Sequence, residues 1–213
     1  MVRNYHNYDK YPAKKIEGFS AFEGYEAIVG VLKQAVDGRE HAVITIETYT
    51  QVDQNEITEG ISGLNATFFD AEKCMVSDRE YMDYIRQYLT NDRVFGIMNT
   101  LKVEDFYVEE RVKEMRRKIE ETDGICVVYG VGASIVHEGD ILVYADLARW
   151  EIQLRFAAGA PNWKAHNENA PKLAKFKQGF FVEWRMADRL KKQRFDRIDF
   201  LLDTNRRGEP KMV

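Results

Sequence analysis

At 213 residues, with 45% hydrophobic and 31% charged side chains, the chain is long enough for one sizeable core and has the composition of an ordinary globular protein. A net charge of −4 and a pI near 5.7 give no general attraction to nucleic acid or to an anionic membrane surface. No apolar run approaches the ~20 residues that span a bilayer, and no signal-peptide core opens the chain, so the sequence predicts a cytoplasmic protein. Cys74 and Cys126 lie far apart with no metal spacing and read as reduced thiols.

Residues 1–18, broken by Pro12 and Gly18, read as an irregular N-terminal arm. From Ser20 the apolar positions Phe22, Tyr25, Ile28, Val29, Leu32 and Val36 recur at helical spacing. Ser20 with Glu23 offers a capping box, and Asp37-Gly38 a stop. Ala42–Ile46 is a short β-branched run that predicts a buried strand. Gly60 and Gly63 then break the chain before a second strand, Asn65–Phe69, that ends in Asp70. Asp78 caps a predicted helix with Tyr81, Tyr84, Ile85, Tyr88 and Leu89 on one face.

The next helix carries Val108, Val112, Met115 and Ile119 inward, with Glu109–Lys113 and Glu114–Lys118 as i,i+4 pairs outside. Ile125–Tyr129 reads as a strand, and Gly130-Val-Gly132 as a tight exit turn rather than a dinucleotide fingerprint, because the third glycine is missing. Asp140–Tyr144 is a further strand. The helix after it is expected to turn Leu147, Trp150 and Leu154 inward and Arg149, Gln153 and Arg155 outward. The polar stretch from Gly159 through Lys177 reads equally as a lid or a solvated connector. Phe180–Met186 is ambiguous between strand and buried helix, Arg197–Leu202 is the last strand, and Asp203–Val213 has the composition of a linker. Alternating strands and helices predict an α/β fold of three layers, a mostly parallel sheet flanked by helices. The boundaries are an arm at 1–18, the α/β domain at 19–203, and at 204–213 the start of a linker to a missing C-terminal domain.

The most informative stretch is Glu47-Thr-Tyr-Thr-Gln-Val-Asp53, where a nucleotide kinase would place Gly-x-x-x-x-Gly-Lys-Ser/Thr to cradle phosphate. Here the first glycine falls on Glu47, the second on Val52 and the lysine on Asp53. Carboxylates in that loop repel phosphate. The predicted strand ends gather Glu47, Asp53, Asp70, Tyr129, Ser134, Asp146 and Asp203 at one edge, where open α/β sheets bind ligands. Four histidines, His6, His41, His137 and His166, show no zinc-ligand spacing, so no metal is expected in these residues.

The element order from Ala42 to Asp203 resembles the uridine-kinase branch of the P-loop phosphotransferases, with Asp70 matching the acid near the sugar hydroxyl. The later strand ends in Tyr129-Gly130 where that family has Glu-Gly. The resemblance implies arginines facing the nucleotide at Arg149 and Arg155. Five stretches, Tyr8–Pro12, Glu47–Asp53, Val143–Glu151, Gly179–Arg189 and Asp203–Val213, are similar to the N-terminal region of long class I mannose-6-phosphate isomerase-like bacterial proteins. That resemblance implies an accessory domain, not catalytic alone, beside a zinc-bearing C-terminal isomerase domain in the same chain. The expected ligand set is Glu47, Asp53, Asp70, Tyr129, Ser134, Arg149, Arg155 and Arg185, around a small phosphorylated ligand. The alternative is an active sugar or nucleoside kinase using ATP and Mg²⁺, with Asp70 as general base and Arg149, Arg155 or Arg185 on phosphate.

Overall fold

The computed structural model describes residues 17–18 and 20–213. The predicted arm through residue 16, with His6 and the Tyr8–Pro12 stretch, lies outside the described residues. Seven strands form one sheet in the order β1-β7-β6-β5-β2-β4-β3. They are β1 (Phe22–Glu23), β2 (His41–Thr48), β3 (Thr67–Asp70), β4 (Gly124–Gly130), β5 (Ile141–Asp146), β6 (Phe200–Asp203) and β7 (Lys211–Met212). The run β3-β4-β2-β5-β6 is parallel throughout, and β7 pairs antiparallel with both β6 and β1.

The sheet is buried on both faces because alternate residues of its central strands point to opposite sides. Ala42, Ile44, Ile46 and Val127 pack into a core with Ile28 and Leu32 of α1 (Tyr25–Ala35) and Ile57 of α2 (Gln54–Gly60). On the other face Val43, Cys126 and Val128 meet Val112 and Ile119. A third cluster fills the space beneath α3 (Asp78–Leu89), where Tyr81 packs edge-on against Phe106 and Trp163. This is the α/β fold of three layers, a mostly parallel sheet flanked by helices, expected from the sequence.

The predicted helix of Val112 and Ile119 is α4 (Glu109–Glu120), and both of its i,i+4 ion pairs form, at 2.5 and 2.7 Å. Several expectations need correction. Glu23 belongs to a strand, so α1 begins after Gly24 (φ +82) and Ser20 caps nothing. The cap of α3 is Ser77, which forms a capping box with Glu80, and Tyr84 is exposed. After the short α5 (Ala133–Val136) and β5 comes α6 (Arg149–Ala157), which buries Ile152 and Phe156 while Trp150 and Leu154 are 59% and 45% exposed. Phe180–Met186 is helical: α7 (Lys172–Gln178) runs through a π-helical turn at Gly179–Glu183 into α8 (Trp184–Arg194). The stretch from Gly159 to Lys177 is not a solvated connector, since Asn162, Trp163 and Lys175 are buried, with Lys175 Nζ donating to the carbonyls of Ala160 (3.0 Å) and Glu168 (2.5 Å).

The tail read as a linker instead closes the sheet. Gly208 (φ +73) and Pro210 turn the chain back, and Met212 is fully buried between β6 and β1.

Candidate functional site

The exit of β2 is the stretch laid over the phosphate-loop pattern in the sequence. Tyr49 N donates to Ala145 O (2.9 Å) and Val52 N to Tyr49 O (3.2 Å), with Gln51 at φ +74 between them. Asp53 caps α2, its Oδ1 accepting from Glu56 N at 3.1 Å, and its Oδ2 accepts from Arg207 Nη2 at 2.9 Å. Three amides here, those of Tyr49, Val52 and Glu56, are thus bonded to the protein's own oxygen atoms, one of them a carboxylate.

The exit of β4 repeats the pattern. Gly130 (φ +120), Val131 and Gly132 (φ +90) make a tight turn, as the sequence indicates. Its amides grip two carboxylates, the buried Glu47 and the half-buried Glu72. Gly132 N donates to Glu47 Oε1 (2.6 Å), while Ser134 N and Oγ both donate to Glu47 Oε2 (2.9 and 2.7 Å). Val131 N donates to Glu72 Oε1 (3.2 Å), which also accepts from Gln54 Nε2 (2.6 Å), and Glu72 Oε2 accepts from the Trp163 indole (3.1 Å). Successive backbone N–H groups of this kind make an anion-binding concavity, and here internal anions fill it.

Burial raises the carboxyl group of Glu72 above its usual range and pushes Glu47 up to about 7, against the hydrogen bonds from Gly132 and Ser134 that favour ionisation. The sign for stability follows. Between about pH 4.5 and 7 the folded chain holds the Glu47 proton that the unfolded chain releases. Its contribution is therefore fully present below 4.5 and is lost as pH rises through 7, by at most roughly 3 kcal/mol. Glu47→Gln is expected to flatten the fall in denaturant midpoint between pH 5 and 7.5. An identical fall in variant and wild type would contradict this environment for Glu47.

Between the β2 exit, α6 and the loop before α7 lies a cleft of about 520 Å³. Gln51, Asp53, Gln54 and Glu56 form one wall and Glu151, Arg155 and Trp163 the other, with Arg207 also lining it. Of the residues expected from sequence, Asp53 and Arg155 come together here. Each nitrogen of the Arg155 guanidinium makes one hydrogen bond: Nε to Glu151 Oε1 (3.1 Å), Nη1 to Gln51 O (2.8 Å) and Nη2 to Thr204 O (3.0 Å).

The others lie elsewhere. Glu47 and Ser134 are buried beneath the β4 turn. Asp70 and Tyr129 are register neighbours on β3 and β4; Asp70 Oδ1 caps the following turn by accepting from Glu72 N (2.9 Å), and burial raises the Tyr129 phenol. Arg149 pairs with Asp188, whose Oδ1 also accepts from Tyr49 Oη (2.9 Å), and lies over the Trp184 ring. Arg185 lies over Phe180. Asp146 pairs with Lys191, and Asp203 accepts from Asn205 N at 2.8 Å. The strand-end residues Glu47, Asp70, Tyr129, Asp146 and Asp203 thus share the carboxyl edge of the sheet, while of the expected ligand set only Asp53 and Arg155 line the cleft.

Glu56, Glu72, Gln54 and Arg207 escaped sequence reasoning. For Glu56, the three-residue spacing from Asp53 was an available helix-cap signal.

The fold is a layered α/β domain whose mostly parallel sheet brings the strand exits to one edge. The chain belongs to the family described as domain of unknown function DUF8485, whose model matches residues 24–213. No curated protein matches the sequence. Among solved structures, the chain is similar to a shikimate kinase from Bacteroides thetaiotaomicron, at 11% identity and a TM-score of 0.44, over 76% of this chain and 86% of that one. Among the described residues, no helix is long and apolar enough to cross a membrane, and no group of three or more His, Cys, Asp or Glu residues is placed to hold a metal ion.

ATP with Mg²⁺ does not fit the residues at the β2 exit. Phosphoryl transfer needs donors and cations at the transferred group. The position offers an Asp53 carboxylate, and the nearest guanidinium groups are already bound to carboxylates and carbonyls.

Proposed function

We propose that this chain is a kinase-like domain that does not transfer phosphoryl groups and acts as an accessory domain of a mannose-6-phosphate isomerase-like protein. Its cleft at the strand ends holds a small ligand, or its surface docks the zinc-bearing isomerase domain. The observation that carries the reading is the internal carboxylates at the strand exits, Glu47 and Glu72 held by the amides after β4, and Asp53 capping α2 through Glu56 N after β2. The isomerase context is supported by the sequence stretches that resemble such proteins. Of the two readings, the sugar phosphate or nucleotide expected from sequence has less support than domain docking, because Arg149 and Arg155 are committed to partners within the protein.

Calorimetric titration with MgATP tests the central part. The expected result is no saturable heat, whereas saturable binding weakened by Arg155→Ala would overturn it. Incubation of the chain with mannose 6-phosphate and Zn²⁺ is expected to yield no fructose 6-phosphate; turnover lost on chelation would reveal a metal site in this domain. For the partner, coding sequence running on past Val213 into a zinc-cupin pattern is the expected finding. A stop codon there would remove the same-chain isomerase.

A further inference from the structure

The ligand class of the cleft follows from which of its charges are committed. Arg155 is immobilised, with its three donor nitrogens bound to Glu151 and two backbone carbonyls. Arg207 is held differently. Its side chain is 80% exposed and only the head is fixed, with Nη2 2.9 Å from Asp53 Oδ2 and Nε 3.7 Å from Glu56 Oε2. A guanidinium therefore already sits between two carboxylates of an open cavity, on a stem with little packing, and exposed ion pairs of this kind are weak.

The rest of the lining suits the same chemistry. Glu151 adds a third carboxylate, and Trp163 places an indole in the wall, its N–H held on Glu72 Oε2 at 3.1 Å. Aromatic and carboxylate groups together recognise organic cations. The volume of about 520 Å³ is that of a small-molecule site.

We propose that this cleft binds a small organic cation bearing guanidinium or primary ammonium groups, and that Arg207 is its built-in occupant, displaced on binding. The proposal rests on the reading of the cleft as a ligand site and not on the loss of phosphoryl transfer. An incoming cation exchanges with Arg207 for Asp53 and Glu56 without moving buried backbone. An incoming anion meets three carboxylates, Asp53, Glu56 and Glu151, against two guanidinium groups, and of the ion pairs only those of the exposed Arg207 are open to exchange, since Glu151 is held by the immobilised Arg155.

The test is calorimetric titration of the chain at low ionic strength with agmatine, which carries one guanidinium and one ammonium, and in parallel with inorganic phosphate and with mannose as anionic and neutral probes. Saturable binding is expected for agmatine alone. Arg207→Ala, which removes the competing internal cation, is expected to tighten it about tenfold, and Glu151→Gln to weaken it by about the same factor. Glu56→Gln should weaken it too, but Glu56 also accepts from Tyr25 Oη (3.2 Å) and Gly208 N (2.9 Å), so Glu151→Gln is the variant that decides if Glu56→Gln unfolds. Failure of agmatine to bind the Arg207→Ala chain, binding unchanged by Glu151→Gln, or saturable binding of phosphate or mannose in the cleft would each overturn the proposal. MgATP turnover would overturn the non-transferring reading instead, so the two failures are distinguishable.

Discussion

Replacing Glu183 with alanine is expected to cost ~3–5 kcal/mol and to loosen the wall of the cleft that carries Trp163. Glu183 ends the π-helical turn and is completely buried. It accepts from Gln178 Nε2 (2.9 Å), from Asn162 Nδ2 (3.1 Å) and from the Trp163 backbone amide. Burial pushes its carboxyl group up to about 7, against those three hydrogen bonds. Alanine strips the acceptor from three buried donors at once, and a buried donor left without a partner carries its full desolvation penalty. Glutamine keeps one acceptor but turns an amide toward other donors, so Glu183→Gln should cost less, ~1–2 kcal/mol. Denaturant titrations of the two variants, with tryptophan fluorescence reporting on Trp163, measure both effects. A loss below about 1 kcal/mol for Glu183→Ala would mean that the segment around Asn162 is held by something else.

The second large effect belongs to the β4 exit. Gly132 has φ +90, and a Cβ built there stands 2.6 Å from Tyr107 Oη, whose hydroxyl donates to Val131 O at 2.5 Å. Gly132→Ala therefore combines a backbone conformation unfavourable to L-residues with a clash against the partly buried ring of Tyr107. The expected loss is ~3 kcal/mol. A shorter, flexible side chain at position 107 relieves the clash but not the backbone term, so in a Tyr107→Leu background the same change should cost less. Equal costs in the two backgrounds would show that the ring is not what excludes a side chain at Gly132.

Much of the frame was legible in the sequence. Strands β2, β4 and β5 are buried on both faces and so read as continuous apolar runs, which periodicity finds without long-range information. Helix α4 was legible because its apolar stripe and its ion pairs agree. Helix α6 was not: Trp150–Leu154 and Ile152–Phe156 are both i,i+4 pairs on nearly opposite faces, and spacing cannot say which one faces the sheet. Helix α2 was missed because Ile57 is its single buried residue, and its cap at Asp53 coincided with the position read as a lost lysine. Strand β7 is two residues long, too short for any period. The carboxylates that fill the strand exits were half legible. Glu47 and Asp53 stood out by replacing residues a kinase needs, but Glu72 lies in a short turn, and its convergence with Val131 and Trp163 is a property of the assembled chain alone.

With internal carboxylates at both strand exits, the chain is expected to move no phosphoryl group. The most direct measurement is ³¹P NMR of MgATP incubated with the chain and a panel of sugars and nucleosides. The account predicts no ADP and no phosphorylated product above the enzyme-free rate. Magnesium-dependent formation of ADP and a phosphorylated acceptor, abolished by Asp70→Asn, would contradict it.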